Sequence, residues 1–149
     1  MKKAISIILL LSLMTITSCK GTGNALDIAY SFCEEYPLEA EVYSSLFSEG
    51  EDGYIDDEML VALYGKSELS VSEFAIVLYG KVGTVYEVGV FITPNGHQRM
   101  DIVELAKYRI DFLSSLAEGE GFIKKYRTVT VYGFLDDPSR AERLLDSLI

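Results

Sequence analysis

The sequence has little of the chemistry from which most active sites are built. Its 149 residues include one histidine, two cysteines and no tryptophan. A zinc site needs several ligands, and no Cys, Asp or Glu lies at a familiar metal spacing around the single histidine, His97. No Gly-x-Ser-x-Gly elbow occurs, and the glycine-rich stretch 80–83 lacks the Lys-Ser/Thr ending of a phosphate-binding loop. The sequence therefore predicts no catalytic residue, no cofactor and no metal ligand.

Basic residues are also scarce. The chain has 13 Lys and Arg against 23 Asp and Glu, which gives a formal net charge of −10. Binding to a phosphate backbone needs clustered positive charge, and the basic residues group only at Lys124, Lys125 and Arg127. This balance excludes nucleic acid as the expected partner.

The N-terminus has the pattern of an export signal. A basic start at Lys2 and Lys3 precedes an apolar run over residues 4–14 and a lipobox-like end that closes on Cys19. The run is too short for a membrane span of about 20 residues. The pattern predicts a lipoprotein signal peptide over residues 1–18, acylation of the Cys19 sulfur, and a protein anchored on the extracytoplasmic face of the membrane.

The rest of the chain is predicted to be a short tether, residues 19–24, and a single domain, residues 25–149. If Cys19 carries the lipid, Cys33 has no intramolecular partner for a disulfide. Because Cys33 falls on an apolar helical face, we expect a buried, unreactive thiol.

Hydrophobic periodicity and capping residues predict four helices and three strands. The helices cover residues 25–36, 57–64 and 98–117 and a C-terminal stretch that begins after Asp137; the strands cover 72–79, 85–93 and 126–135. Residues 38–47 fit either a second helical turn or a loop.

These elements predict an α+β domain with a three-stranded antiparallel sheet. The second strand, the long helix and the third strand can form a crossover that skips one position, and the first strand would fill the gap. The expected strand order is 2-1-3, like a split βαβ unit, preceded by N-terminal helices. The long and C-terminal helices are expected on the same face, so that helices cover mainly one side of the sheet.

Several side chains have both a functional and a structural interpretation. His97 could act with Asp101 and Glu104, or it could be a solvated turn residue before a helix whose first acids serve the backbone dipole. Among the ten tyrosines, four on or beside strands could form an exposed recognition surface or could simply be half-buried strand residues. They are Tyr79, Tyr86, Tyr126 and Tyr132.

From residue 64 onward the chain resembles a family of small lipoproteins of Gram-positive anaerobes that is known as a domain of unknown function. The resemblance lies in Leu63-Tyr64-Gly65, Glu73-Phe74-Ala75-Ile76-Val77, Glu87-Val88-Gly89-Val90-Phe91, a helix with Arg109, and Asp137-Pro138 after the last strand. It implies a lipoprotein with a single domain and adds no catalytic residue.

Together these patterns indicate a lipid-anchored, non-enzymatic binding module of the cell envelope. Its expected partners are the membrane, through the lipid on Cys19, and an envelope protein, peptide or glycan. One alternative is an envelope hydrolase or metal-dependent enzyme around His97, and another is a small-molecule-binding module.

Overall fold

The computed structural model describes residues 23–80 and 85–149. The predicted signal peptide, Cys19, most of the tether and most of the turn over 80–83 lie outside the described residues. Within the described part, no helix has the length and apolar character needed to cross a membrane.

The four predicted helices are present. They are α1 (Ala25–Glu35), α2 (Asp57–Tyr64), α3 (Gly96–Leu116) and α4 (Pro138–Leu148). The side chain of Asn24 accepts a hydrogen bond from the N–H of Asp27, which fixes the start of α1. Asp56 caps α2, and Gly65 ends α2 in the left-handed conformation at φ 69°, as its sequence position predicts.

The sheet has five antiparallel strands, so the prediction of three strands is wrong. The strands are β1 (Ala40–Ser44), β2 (Glu73–Tyr79), β3 (Tyr86–Ile92), β4 (Glu120–Lys125) and β5 (Val129–Leu135). The predicted strands correspond to β2, β3 and β5. Residues 38–47 are neither a helical turn nor only a loop, because residues 40–44 form the edge strand β1. The predicted third strand begins three residues too early, since the backbone turns between Tyr126 and Val129 to join β4 to β5.

The predicted order 2-1-3 is also wrong. The observed order is β1-β2-β3-β5-β4, and β5 pairs with β3, with Gly89 opposite Tyr132. A split βαβ arrangement does exist, but β3, α3 and β4 form it, and β5 fills the gap. The prediction failed because it lacked β4 and assigned the far side of the crossover to β5.

Helices cover both faces of the sheet, which corrects the expectation of helices mainly on one face. α1 and α4 lie on one face, in the core that includes Ala75 and Val77 of β2. α2 and α3 lie on the opposite face, in the core that includes Phe74 and Ile76. Alternate residues of β2 therefore enter two separate cores, which explains why the strand is apolar along its whole length.

Candidate functional site

A buried polar network lies between α3 and the sheet. Glu87 of β3 is 1% exposed and Arg109 of α3 is 7% exposed. Arg109 Nε donates to both Glu87 carboxylate oxygens at 3.0 and 3.1 Å, and Arg109 Nη2 lies 2.6 Å from Oε2. The Tyr132 hydroxyl donates to Glu87 Oε1, and the hydroxyls of Tyr132 and Tyr64 are 2.7 Å apart. Four polar side chains thus satisfy one another inside the core.

Local sequence explains how these side chains meet. Arg109 continues the inner stripe of α3 at helical spacing from Ile102, Leu105 and Ala106, so it points at the sheet. On the sheet, Gly89 makes room for the Tyr132 ring: a Cβ at residue 89 would lie 2.2 Å from Tyr132 Cε1. A glycine between buried strand residues therefore allows a large ring to lie flat above it.

Burial and the charges within the network determine which of its side chains are protonated. Burial and the neighbouring Glu87 raise the pKa values of Tyr64 and Tyr132 well above the usual range. Burial alone would lower the pKa of Arg109, but its hydrogen bonds and charge attraction to Glu87 outweigh burial, so that pKa is raised. At neutral pH both phenols keep their protons and Arg109 keeps its charge.

This arrangement fits a structural role better than a catalytic one. A groove of about 210 Å³ beside Tyr64 is also lined by Asp101 and Tyr108 among others, and neither Glu87 nor Arg109 lines it. A catalytic acid or base must come within hydrogen-bonding distance of its substrate. The network instead joins α2 and α3 to β3 and β5.

A second feature, here called the β1 groove, lies at the opposite edge of the sheet from β4. It has a volume of about 460 Å³ and is bordered by Tyr30 of α1, by β1 and by the loop that follows β1. Its lining residues are Tyr30, Ala40, Glu41, Val42, Tyr43, Phe47, Asp52 and Gly53.

The pairing of β1 with β2 determines which backbone groups face the β1 groove. Glu39 accepts from the N–H of Gly80 at 3.1 Å, and the N–H of Ser45 donates to Phe74 at 3.1 Å. In an antiparallel ladder, hydrogen-bonded and non-hydrogen-bonded residues alternate. The N–H groups of Ala40 and Val42 and the carbonyl of Ala40 therefore point away from β2.

The side chains around this edge are aromatic and acidic. Tyr30 of α1 is 46% exposed, and the rings of Tyr43 and Phe47 are half-buried. The Tyr43 hydroxyl donates to Glu41 at 2.8 Å, and this hydrogen bond raises the pKa of Tyr43. With Asp52, Glu41 gives the β1 groove two carboxylates and no basic lining residue.

The structure places His97 on the exposed first turn of α3. Ion pairs in the described part of the chain involve Arg109, Lys124 and Arg140, and His97 forms none with Asp101 or Glu104. Residues 23–80 and 85–149 contain no cluster of three or more His, Cys, Asp or Glu that could hold a metal ion. The structure thus does not bring the three predicted residues together.

The tyrosines considered as a recognition surface lie against or within the cores. Tyr79 and Tyr132 are buried, and Tyr86 is half-buried with its ring centroid 6.5 Å from that of Phe134. Helices on both faces of the sheet cover these positions.

Cys33 of α1 is half-buried. Burial raises the pKa of its thiol, which disfavours the reactive thiolate.

Neither the buried polar network nor the β1 groove was predicted from the sequence, although each has a recognisable sequence pattern. A charged Glu87 within an otherwise apolar strand needs a buried partner, and Arg109 lies on the inner stripe of α3. Beside the β1 groove, Ala40 and Val42 alternate with Glu41, which is the period of a strand.

Comparisons with family models, curated proteins and solved structures find no match to this chain. We therefore infer its function from its own residues.

Proposed function

We propose that this chain is a lipid-anchored, extracytoplasmic protein that acts as a non-enzymatic binding module of the cell envelope, with the β1 groove as its binding surface. The basic start, the short apolar run and Cys19 support anchoring. The resemblance to small lipoproteins of Gram-positive anaerobes agrees with this proposal.

The observation that carries the binding function is that the exposed ring of Tyr30 and backbone groups of β1 that β2 does not use line the same groove. An aromatic ring offers a large contact area at a small entropic cost, and Tyr30 holds its ring at the solvent. Beside that ring, Ala40 and Val42 present backbone groups that β2 does not use. The enzyme alternative has no comparable support, since His97 has no carboxylate within ion-pair distance among residues 23–80 and 85–149.

Anchoring is tested by comparing the cellular fractions of Cys19→Ala and Cys33→Ala. We expect the wild type and Cys33→Ala in the membrane fraction, and Cys19→Ala as a soluble or unprocessed form, because only Cys19 would carry the lipid. Membrane recovery and electrophoretic mobility of Cys19→Ala equal to those of the wild type would contradict the anchor.

Binding through the β1 groove is tested by placing a photo-crosslinking residue at position 30 or at position 108 of the full chain in cells. Tyr108 is the matched control because its ring is also exposed, on α3 and away from the β1 groove. We expect specific adducts from position 30 only. Equal adducts from both positions would contradict a binding function located in the β1 groove.

A further inference from the structure

We propose that the β1 groove binds an extended peptide segment in which Lys or Arg alternates with apolar residues, and that this segment adds to the sheet as a sixth strand beside β1. This inference rests on the proposed binding function and names its ligand class.

The backbone of β1 supplies the first argument. Two N–H groups and one carbonyl, from Ala40 and Val42, face away from β2 and can pair with an extended chain, as in other cases of strand addition. The loop that follows β1 already pairs with the C-terminal end of this strand. Ser44 and Tyr54 form a parallel bridge, in which the Ser44 N–H donates to the Gly53 carbonyl at 3.0 Å. An incoming strand would continue that pairing from Val42 toward Ala40.

The side chains beside this edge supply the second argument. Successive residues of an extended peptide point to opposite sides. Residues on one side would lie beside Tyr30 of α1 and beside Ala40 and Val42, which pack against the α1 core, and this favours apolar side chains there. Residues on the other side would lie beside Tyr43, which packs against the opposite core, and beside the Glu41 carboxylate that the Tyr43 hydroxyl contacts.

Charge supplies the third argument. Glu41 and Asp52 line the β1 groove, and none of the described residues that line it is basic, in a chain of net charge −10. This charge attracts a cationic segment and accelerates its association at low salt. The other edge of the sheet differs, because β4 carries Lys124 and Lys125, and edge lysines discourage pairing. A cationic peptide would thus distinguish β1 from β4.

The test uses the purified full chain in detergent and two synthetic probes, with binding measured by calorimetry. One probe is a short peptide that alternates lysine and valine, and the other replaces each valine by proline. Proline removes the backbone donor and cannot extend the ladder. We expect the valine peptide to bind about tenfold or more tightly than the proline peptide, and we expect its affinity to fall as salt is raised.

Variants with matched controls locate the site. Tyr30→Ala and Asp52→Lys should each weaken binding of the valine peptide about tenfold, as loss of a central aromatic or charged contact does. Tyr108→Ala and Asp111→Lys make the same changes at exposed positions of α3 and should leave affinity within about twofold. All four positions are at the surface, and circular dichroism checks that each variant remains folded.

Three results would overturn strand addition: no binding of the valine peptide, equal binding of both peptides, or equal loss in the groove variants and their controls. A cell-wall oligosaccharide that binds the wild type, loses affinity in Tyr30→Ala and is unaffected by Asp52→Lys would overturn the peptide class. In each case, adducts from position 30 and membrane anchoring would still support the proposed function, so the two failures are distinguishable.

Discussion

Replacing Arg109 by methionine would remove the positive charge that faces Glu87 inside the protein. Three N–H···O contacts of 2.6–3.1 Å would be lost, and the Tyr132 hydroxyl would remain as the hydrogen-bond donor to a carboxylate that is 1% exposed. Removing one partner of a buried ion pair typically costs about 3–5 kcal/mol, because the other charge stays uncompensated. We therefore expect Arg109→Met to lower the free energy of unfolding by about 3–5 kcal/mol in a urea titration.

A double-mutant cycle separates the ion pair from the packing around it. Glu87→Leu alone should also destabilise, at the lower end of the same range, since the long Arg109 side chain can turn toward solvent. The double variant Glu87→Leu/Arg109→Met replaces both charges by apolar groups and leaves Tyr64 and Tyr132 to hydrogen-bond each other at 2.7 Å. We expect it to lie within about 2 kcal/mol of the wild type.

The control for this cycle is Lys124→Met, which breaks the partly exposed ion pair with Glu142. This variant should lose only about 1 kcal/mol or less, because exposed ion pairs contribute little. A double variant as unstable as the sum of Glu87→Leu and Arg109→Met would refute the reasoning, since it would show no coupling between the two charges.

Three further predictions concern single residues. Gly89→Ala should lower the free energy of unfolding by about 1–3 kcal/mol, because its Cβ would collide with the Tyr132 ring; a loss below about 0.5 kcal/mol in urea would show that the ring can move aside. His97→Ala should change stability by less than about 0.5 kcal/mol and leave groove binding intact, because the side chain is exposed; loss of function in a folded variant would revive the enzyme alternative. Burial raises the pKa of Tyr36 to about 12, against about 10 in the unfolded chain, so its contribution to stability is complete below pH 10 and is lost as pH rises to about 12. Denaturation across this range should therefore show a shallower alkaline loss for Tyr36→Phe than for the wild type, and equal slopes would contradict the effect of burial.

Local signals predicted the helices well. The side chains of Asn24, Asp56 and Asp137 cap helices where their positions in the sequence indicated, because a cap depends on neighbours only three residues away. The strands of the sheet centre were also recognisable from their continuous or alternating apolar residues.

The two edge strands carried weaker signals. β1 has five residues, and β4 includes Gly121 and two lysines, so neither shows a long apolar period. Pairing with β2 and β5 holds them in place, and this pairing depends on residues distant in the chain. Without β4, the strand order could not be derived correctly.

The candidate site was hidden for the same reason. The β1 groove exists only where an edge strand passes beside Tyr30 of α1 and the loop that contains Phe47. The coverage of both sheet faces, by contrast, could have been predicted from β2. A strand with apolar residues on both sides needs a core on each side, as Ala75 and Ile76 show.

The most direct test of the account is residue-resolved amide hydrogen exchange, measured by NMR on the full chain with and without the lysine-valine peptide. The N–H groups of Ala40 and Val42 face the β1 groove, whereas those of Glu41 and Tyr43 face β2. We expect the peptide to slow exchange at Ala40 and Val42 and to leave Glu41 and Tyr43 unchanged. Unchanged exchange at Ala40 and Val42 under saturating peptide, or slowing confined to α3 or β4, would contradict the claim that β1 is the binding edge.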